Sequence, residues 1–132
     1  MRLLLDTHVA FWLVAMRHKL SANEMVLLVE PLNELCVSAV SIWELRIKWN
    51  SFYRSGERKG PDDPAKFLEG ARKLGLGVES LMPEHGAAML RQPMNHSDPF
   101  GDLLLTVAQE TDRRLLTRDE KLRGHPLAFH AD

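Results

Sequence analysis

The stretch LCVSAVSIWELRIKW, residues 35–49, decides the fold class because it joins two kinds of periodicity with almost no loop between them. Residues 35–39 form a short apolar run that is typical of a buried strand. Residues 41–49 mix apolar and charged positions at a spacing that predicts a helix. A buried strand followed closely by a helix is the first half of a βαβ unit, so the stretch predicts an α/β fold.

The same alternation continues on both sides of this stretch. Further strands are predicted at 2–6, 78–81, 114–118 and 126–130, and further helices at about 8–17, 21–30, 63–75, 83–92 and 99–111. The charged, glycine-containing segment 51–63 is predicted to be a loop. Alternating strands and helices indicate a central, mostly parallel sheet with helices on both faces, in a single domain spanning residues 1–132.

Composition narrows the class of protein. The chain has 132 residues, of which 45% are hydrophobic and 27% charged, as expected for a globular protein. Its net charge of −1 means that a polyanionic partner must meet a local basic patch. The single cysteine, Cys36, excludes an internal disulfide and is expected to be buried. The early apolar run 9–16 is too short to cross a bilayer, so we expect a cytoplasmic protein without a membrane anchor.

Carboxylates follow several of the predicted strands. Asp6 ends the first strand, and Asp119 directly follows the strand at 114–118. Glu44 lies in the first turns of the helix after the second strand. Asp98 and Asp102 open the helix in HSDPFGDLLLTVAQ, residues 96–109. In α/β sheets, binding sites form at the carboxyl ends of strands and at the helix starts that follow, so these acids are predicted to converge.

Such convergence requires a counter-charge. Two carboxylates about 4 Å apart repel by roughly 4 kcal/mol at an effective dielectric constant near 20. Oxygen ligands alone suit Mg²⁺ or Mn²⁺, and a carboxylate-held cation with open positions can activate water against a phosphodiester. Each acid alone also fits a helix cap, and Ser41 with Glu44 fits a capping box. Their shared topological position is what favours a metal site.

Four motifs resemble those of the PIN-domain ribonucleases, above all the VapC-like toxins of bacterial toxin–antitoxin pairs. They are LLLDTH (3–8), VSAVSIWELRIK (37–48), HSDPF (96–100) and LLTRD (115–119). The resemblance implies an α/β sandwich, dependence on Mg²⁺ or Mn²⁺, and endonucleolytic cleavage of RNA. It also implies a small antitoxin that blocks the site, and usually a homodimer. Asp6, Glu44 and Asp119 match the family's acidic metal-site positions, with Thr7 and Thr117 as supporting residues.

The sequence departs from the family's usual D-P-F-D-R motif. Gly101 stands where the second acid belongs, and Asp102 stands where the arginine belongs. Helical spacing predicts a buried stripe made of Phe100, Leu103, Leu104, Val107 and Ala108, with Asp102 on nearly the opposite side. We therefore expect Asp98, more than Asp102, to supply the missing acid to a catalytic set with Asp6, Glu44 and Asp119. The alternative is a catalytically weakened PIN-like module that binds proteins.

Basic residues near the predicted site are candidates for RNA binding. Arg46 and Lys48 lie beside Glu44, and Arg118 precedes Asp119. Further basic residues at 54–59 interleave with the aromatic residues Phe52 and Tyr53, which are available for stacking on bases. The same residues also fit solvated surfaces or contacts with a partner protein.

Overall fold

A computed structural model describes residues 1–95 and 97–132. His96, which opens the HSDPF motif, lies outside the described residues. The described part forms one sheet from the strands β1 (Arg2–Leu5), β2 (Glu34–Ser38), β3 (Gly77–Glu79), β4 (Arg114–Leu116) and β5 (Ala128–Phe129). Their spatial order is β3-β2-β1-β4-β5, and every pairing is parallel. The predicted α/β fold is confirmed, with a sheet that is parallel throughout.

Helices connect the strands. They are α1 (Thr7–Ala15), α2 (Ala22–Val29), α3 (Ala39–Trp49), α4 (Pro64–Lys73), α5 (Pro83–Ala87) and α6 (Pro99–Glu110). Short 3-10 turns follow α1 and β4, at Arg17–Lys19 and Glu120–Leu122. The helix predicted at 83–92 is therefore shorter than expected. None of the helices in the described residues is long and apolar enough to span a bilayer.

The strand side chains alternate between two apolar layers. Leu3 and Leu5 of β1 belong to a cluster with residues of α1, α2 and α4, including Phe11 and Phe67, whose ring centres lie 6.4 Å apart. Leu4 points the other way, into a cluster with Cys36 and the buried residues of α6. Helices therefore cover both faces of the sheet. Cys36 is a buried free cysteine, and burial raises the pKa of its thiol.

Helix α3 begins earlier than the sequence predicts. Ser38 is its N-cap, and the Ser38 hydroxyl accepts a hydrogen bond from the Val40 amide at 3.0 Å. Ser41 lies inside the helix and is fully buried. The capping box of Ser41 with Glu44 is therefore wrong, because the actual cap lies one turn earlier. The Glu44 carboxylate therefore does not cap the start of α3.

Helix α6 is buried on more than one side. Leu104, Val107 and Ala108 of the predicted stripe are buried, but so is Leu105, which the stripe leaves out. This wider burial arises because α6 packs against both the sheet and α5. Gly101 is buried at the start of the helix, whereas Asp102 is exposed, as the helical spacing predicts.

Candidate active site

Four carboxylates line one cavity at the carboxyl ends of the central strands. The cavity has a volume of about 410 Å³, and its acidic lining residues are Asp6, Glu44, Asp98 and Asp119. Asp6 follows β1 and Asp119 follows the adjacent strand β4. The two strands are tied together at this end, where the Asp6 amide donates to the Leu116 carbonyl at 2.9 Å. The parallel sheet thus brings together acids that are far apart in sequence.

Asp6 is held by two hydrogen bonds. Its Oδ1 accepts from the Thr7 amide at 2.8 Å, and its Oδ2 accepts from the Thr117 hydroxyl at 2.6 Å. Burial raises the pKa of the Asp6 carboxyl above its ordinary value; the hydrogen bonds from Thr117 and Thr7 oppose this rise, and the charge of Glu44 adds to it. A cation in the cavity would favour the ionised form of this carboxyl.

Thr117 connects Asp6 with Asp119. While its hydroxyl donates to Asp6, the same oxygen accepts from the Asp119 amide at 3.0 Å. The Asp119 carboxylate also caps the following 3-10 turn, accepting from the Lys121 amide at 3.0 Å. Thr117, predicted as a supporting residue, therefore contacts both the Asp6 carboxylate and the Asp119 backbone.

Glu44 is oriented by contacts from two helices. The Thr7 hydroxyl lies 2.8 Å from Glu44 Oε1 and 2.9 Å from the Ser41 hydroxyl. Because a carboxylate can only accept, the Thr7 proton points to Glu44 in the first contact. On the other oxygen, Lys48 Nζ lies 3.0 Å from Glu44 Oε2, one turn along α3. The exposed fraction of the Glu44 side chain is 13%.

At the mouth of α6, only one of the two candidate acids reaches the cavity. Asp98 is the N-cap, with its Oδ1 accepting from the Phe100 amide at 3.1 Å. A β-carbon at Gly101 would lie 3.1 Å from Asp98 Oδ2, so these two positions are adjacent in the cavity. Asp102 is exposed and lines a neighbouring groove, which Asp98 also borders but the other three acids do not. The structure therefore does not bring Asp102 to the metal site for which it was a candidate.

The three candidate RNA-binding residues have different surroundings. Arg46 is exposed on α3, and Lys48 pairs with Glu44. Arg118 makes a two-pronged ion pair with Glu24 of α2, and its guanidinium lies 4.6 Å from the centre of the Trp12 ring. The charge of Arg118 is thus already compensated by a carboxylate that is only 3% exposed. These contacts hold α2 next to the cavity.

Two cavity residues were missed by the sequence analysis. His8 and Trp12 of α1 line the same cavity, with ring centres 5.9 Å apart. They lie two and six positions after Asp6, and their spacing of four places them on one face of the helix. The spacing of four between His8 and Trp12 was visible in the sequence. Because α1 is apolar on nearly all sides, this spacing did not single out one face of the helix.

The donors fit a hard cation in kind. Carboxylate oxygens from four elements line the cavity, and oxygen ligands are those that Mg²⁺ and Mn²⁺ prefer. Within the described part of the chain, no three histidine, cysteine or acidic side chains are already gathered tightly enough to hold one ion. The acids are instead bound to hydroxyls, amides and Lys48. Holding an ion between them therefore requires side-chain rotations.

Comparisons with known proteins identify the family to which the chain belongs. The model of the PIN domain family matches residues 3–126. The chain is 31% identical to Ribonuclease VapC22 from Mycobacterium tuberculosis (strain ATCC 25618 / H37Rv), covering 92% of this chain and 90% of that protein.

Two solved structures share the fold. The crystal structure of VapBC2 from Rickettsia felis, bound to a DNA fragment from their promoter, has a TM-score of 0.59 at 11% identity, covering 98% of this chain and 97% of that one. VapBC-1 from nontypeable Haemophilus influenzae has a TM-score of 0.50 at 18% identity, covering 92% and 89%. From the match over most of its length and its identity to a VapC ribonuclease, the chain belongs to the PIN-domain family.

Proposed function

We propose that the protein is a metal-dependent endoribonuclease and the toxin of a toxin–antitoxin pair, built as one domain over residues 1–132. The observation that carries this proposal is the convergence of four carboxylates from separate elements in one cavity. The 31% identity to a protein named as a ribonuclease supports the choice of RNA as substrate. The proposed place of action is the cytoplasm, where RNA is present.

The carboxylates that would hold Mg²⁺ or Mn²⁺ are Asp6, Glu44, Asp98 and Asp119. When bound, the cation supplies charge stabilisation at the scissile phosphate and activation of a water molecule. Thr117 fixes Asp6 by donating to its Oδ2, and Thr7 fixes Glu44 by donating to its Oε1. The orientation of metal ligands matters for function. Removing a side chain that is hydrogen-bonded to a metal ligand commonly lowers metal affinity or activity by about 10- to 100-fold.

Lys48 has a second part in this proposal. In the metal-free site its ammonium compensates the charge of Glu44 at 3.0 Å. Because the Lys48 side chain is 38% exposed, it also presents positive charge at the edge of the cavity. This charge would attract a phosphate to the position of Glu44. Lys48 therefore remains among the proposed RNA-binding residues.

A small antitoxin is the proposed partner. The solved neighbours are VapBC assemblies, which supports such a partner for this chain. Apolar side chains on and after α2 are available for contact, since Val26, Val29 and Leu32 are 67%, 62% and 88% exposed. We further propose a homodimer. Analytical ultracentrifugation of the purified protein tests this, and a monomer at all concentrations would exclude it.

Cleavage of RNA by the purified protein tests the proposed activity. We expect cleavage of a labelled transcript with Mg²⁺ or Mn²⁺ and none with EDTA. Glu44→Gln should lower the rate about 100-fold or more, because a neutral amide binds a cation more weakly. Glu69→Gln, an exposed glutamate on α4, is the matched control and should cleave like wild type. Absence of cleavage by wild type with both metals would favour the protein-binding module.

A further inference from the structure

A second cavity opens beside the acidic one and differs from it in charge. Its volume is about 490 Å³, and it shares His8 and Trp12 with the acidic cavity. Three lysines line it, namely Lys19, Lys48 and Lys59. Among the described residues no carboxylate lines it, whereas four line the neighbouring cavity. We call this second cavity the basic groove.

Aromatic rings form much of the remaining surface of the basic groove. The aromatic lining residues are Phe11 and Trp12 of α1 and Tyr53 from the loop after α3. Phe11 is 6% exposed, so it serves as part of the floor, whereas Tyr53 is 57% exposed. Lys59 Nζ lies over the Tyr53 ring, 5.5 Å from its centre, so the positive charge is on one face of the ring and a base would stack on the other face.

The loop that carries Tyr53 and Lys59 is held in place by its backbone. The Tyr53 amide donates to the Glu57 carbonyl and the Lys59 amide to the Ser51 carbonyl, each at 2.8 Å. Gly60 then passes so close to α3 that a β-carbon there would lie 2.5 Å from the Trp49 backbone nitrogen. The Arg58 guanidinium is stacked on the Trp49 and Phe52 rings, and these contacts link the loop to the end of α3. Tyr53 is therefore presented on an ordered turn.

The combination of lysines, an exposed ring and no carboxylate fits a single-stranded polyanion with aromatic bases. Lysines attract the phosphates, and an exposed tyrosine stacks on a base whatever its sequence. A base inside an RNA duplex is not available for such stacking, because its faces are already covered by its neighbours. Because His8 and Trp12 line both cavities, the basic groove lies next to the carboxylates that would hold the cation.

We propose that the basic groove binds the nucleotide adjacent to the cleaved phosphate of a single-stranded RNA, with its base stacked on Tyr53 and its phosphates held by Lys19 and Lys59. This proposal rests on the proposed ribonuclease function, since it assigns a place to the same substrate. Lys48 lies at the junction, where it lines the groove and contacts Glu44. The protein is thus selective for unpaired RNA at the point of cleavage.

Binding of a fluorescein-labelled oligouridylate, measured by anisotropy in EDTA, tests the groove without cleavage. Replacing Lys19 and Lys59 together by alanine should lower the slope of log affinity against log salt by about 1.4, since each single-strand phosphate contact contributes about 0.7. Tyr53→Ala should weaken binding about tenfold, and Tyr53→Phe should retain it because the ring is kept. Lys66→Ala, an exposed lysine on α4, is the matched control. Circular dichroism confirms that each variant is folded.

Cleavage kinetics in Mn²⁺ provide a second readout. The groove variants should raise KM for a single-stranded substrate and leave kcat close to wild type, because the carboxylates are untouched. Unchanged affinity and salt slope in the double lysine variant would overturn the proposal, even if the protein cleaves RNA. If that variant loses only its affinity for the purified antitoxin, the groove is a protein-docking site and the proposal is likewise overturned. Loss of RNA binding in a protein that never cleaves RNA would retain the groove and reject the nuclease.

Discussion

At the scale of single residues, Asp6 combines burial with negative charge. It accepts hydrogen bonds from Thr7 and Thr117, yet burial still raises its pKa above the ordinary value of 3.8. A carboxyl whose pKa is raised in the fold stabilises the protein fully below its unfolded pKa. This contribution is lost as the pH rises through the folded pKa. At neutral pH the metal-free protein therefore bears a cost that a bound cation would remove.

Asp6→Asn should raise the melting temperature of the metal-free protein at pH 7, because an amide in this position has no charge to desolvate. The advantage over wild type should disappear in acid, where Asp6 is protonated. Millimolar Mn²⁺ should stabilise wild type, by about 2.7 kcal/mol at a hundred times the dissociation constant, and should stabilise the variant much less. Differential scanning calorimetry with and without metal measures both effects. A variant that melts below wild type in EDTA at pH 7 would refute this account of Asp6.

Asp98 and Gly101 lie together at the start of α6, where Asp98 is the residue that we propose supplies the missing acid. Asp98 caps α6 and lines the cavity, and the open side of Gly101 faces its Oδ2. Asp102 is exposed and does not line this cavity. The spacing of apolar residues in α6 predicted this difference, because it fixes which side of the helix faces the sheet. The extra burial of Leu105 was not predictable, since it depends on the tertiary packing of α6 in the core cluster that contains Leu4 and Cys36.

Substitutions at these positions test the assignment through metal affinity. Asp98→Ala should weaken Mn²⁺ binding about tenfold or more, and Asp102→Ala should leave it close to wild type. Gly101→Asp adds a carboxylate beside Asp98, so it should strengthen Mn²⁺ binding and lower the melting temperature in EDTA. Isothermal titration calorimetry measures the affinities. If Asp102→Ala is the more damaging change, the geometry of the first turn of α6 is not the one described.

At the scale of elements, α2 is tied to the end of β4 by a buried carboxylate. Glu24 forms a capping box with Ser21 at the start of α2 and also pairs with Arg118. Despite its burial, the pKa of Glu24 is held below its ordinary value of 4.5, mainly by the Arg118 and Ser21 hydrogen bonds. The capping motif is visible in the sequence. The pairing with Arg118 is not, because only the sheet brings these distant segments together.

Glu24→Gln should destabilise the protein by about 2 kcal/mol at neutral pH, the usual effect of losing hydrogen bonds to a charged group. A carboxyl with a lowered pKa contributes stability above its unfolded pKa, and loses it as the pH falls through the folded value. The difference between wild type and variant should therefore shrink below about pH 4.5. Urea unfolding at several pH values measures this difference.

The exposed pair of Glu69 with Lys73 serves as control, and Glu69→Gln should change stability by less than about 1 kcal/mol. Equal effects of the two substitutions would contradict the structural role of Glu24.

At the scale of the whole molecule, sheet topology creates the site. The alternation of strands and helices predicted the α/β fold, and acids at strand ends predicted their convergence. Asp6, Glu44, Asp98 and Asp119 do line one cavity. The basic groove was only partly predictable. The aromatic and basic residues at 52–59 were visible, but Lys19 reaches the groove through the packing of its turn, which no local pattern encodes.

The central claim is that the sheet assembles one site from separate segments of the chain. Metal-dependent RNA cleavage, measured for variants of acids that are far apart in the sequence, tests this claim. The measurement is the initial rate of cleavage in Mn²⁺ for wild type, Asp6→Asn, Asp119→Asn and Asp102→Asn. The account predicts that the Asp6 and Asp119 variants fold but lose about 100-fold or more in rate, because each removes a charged metal ligand. The Asp102 variant should cleave like wild type. Wild-type rates in the Asp6 and Asp119 variants, or an equal loss in the Asp102 variant, would contradict it.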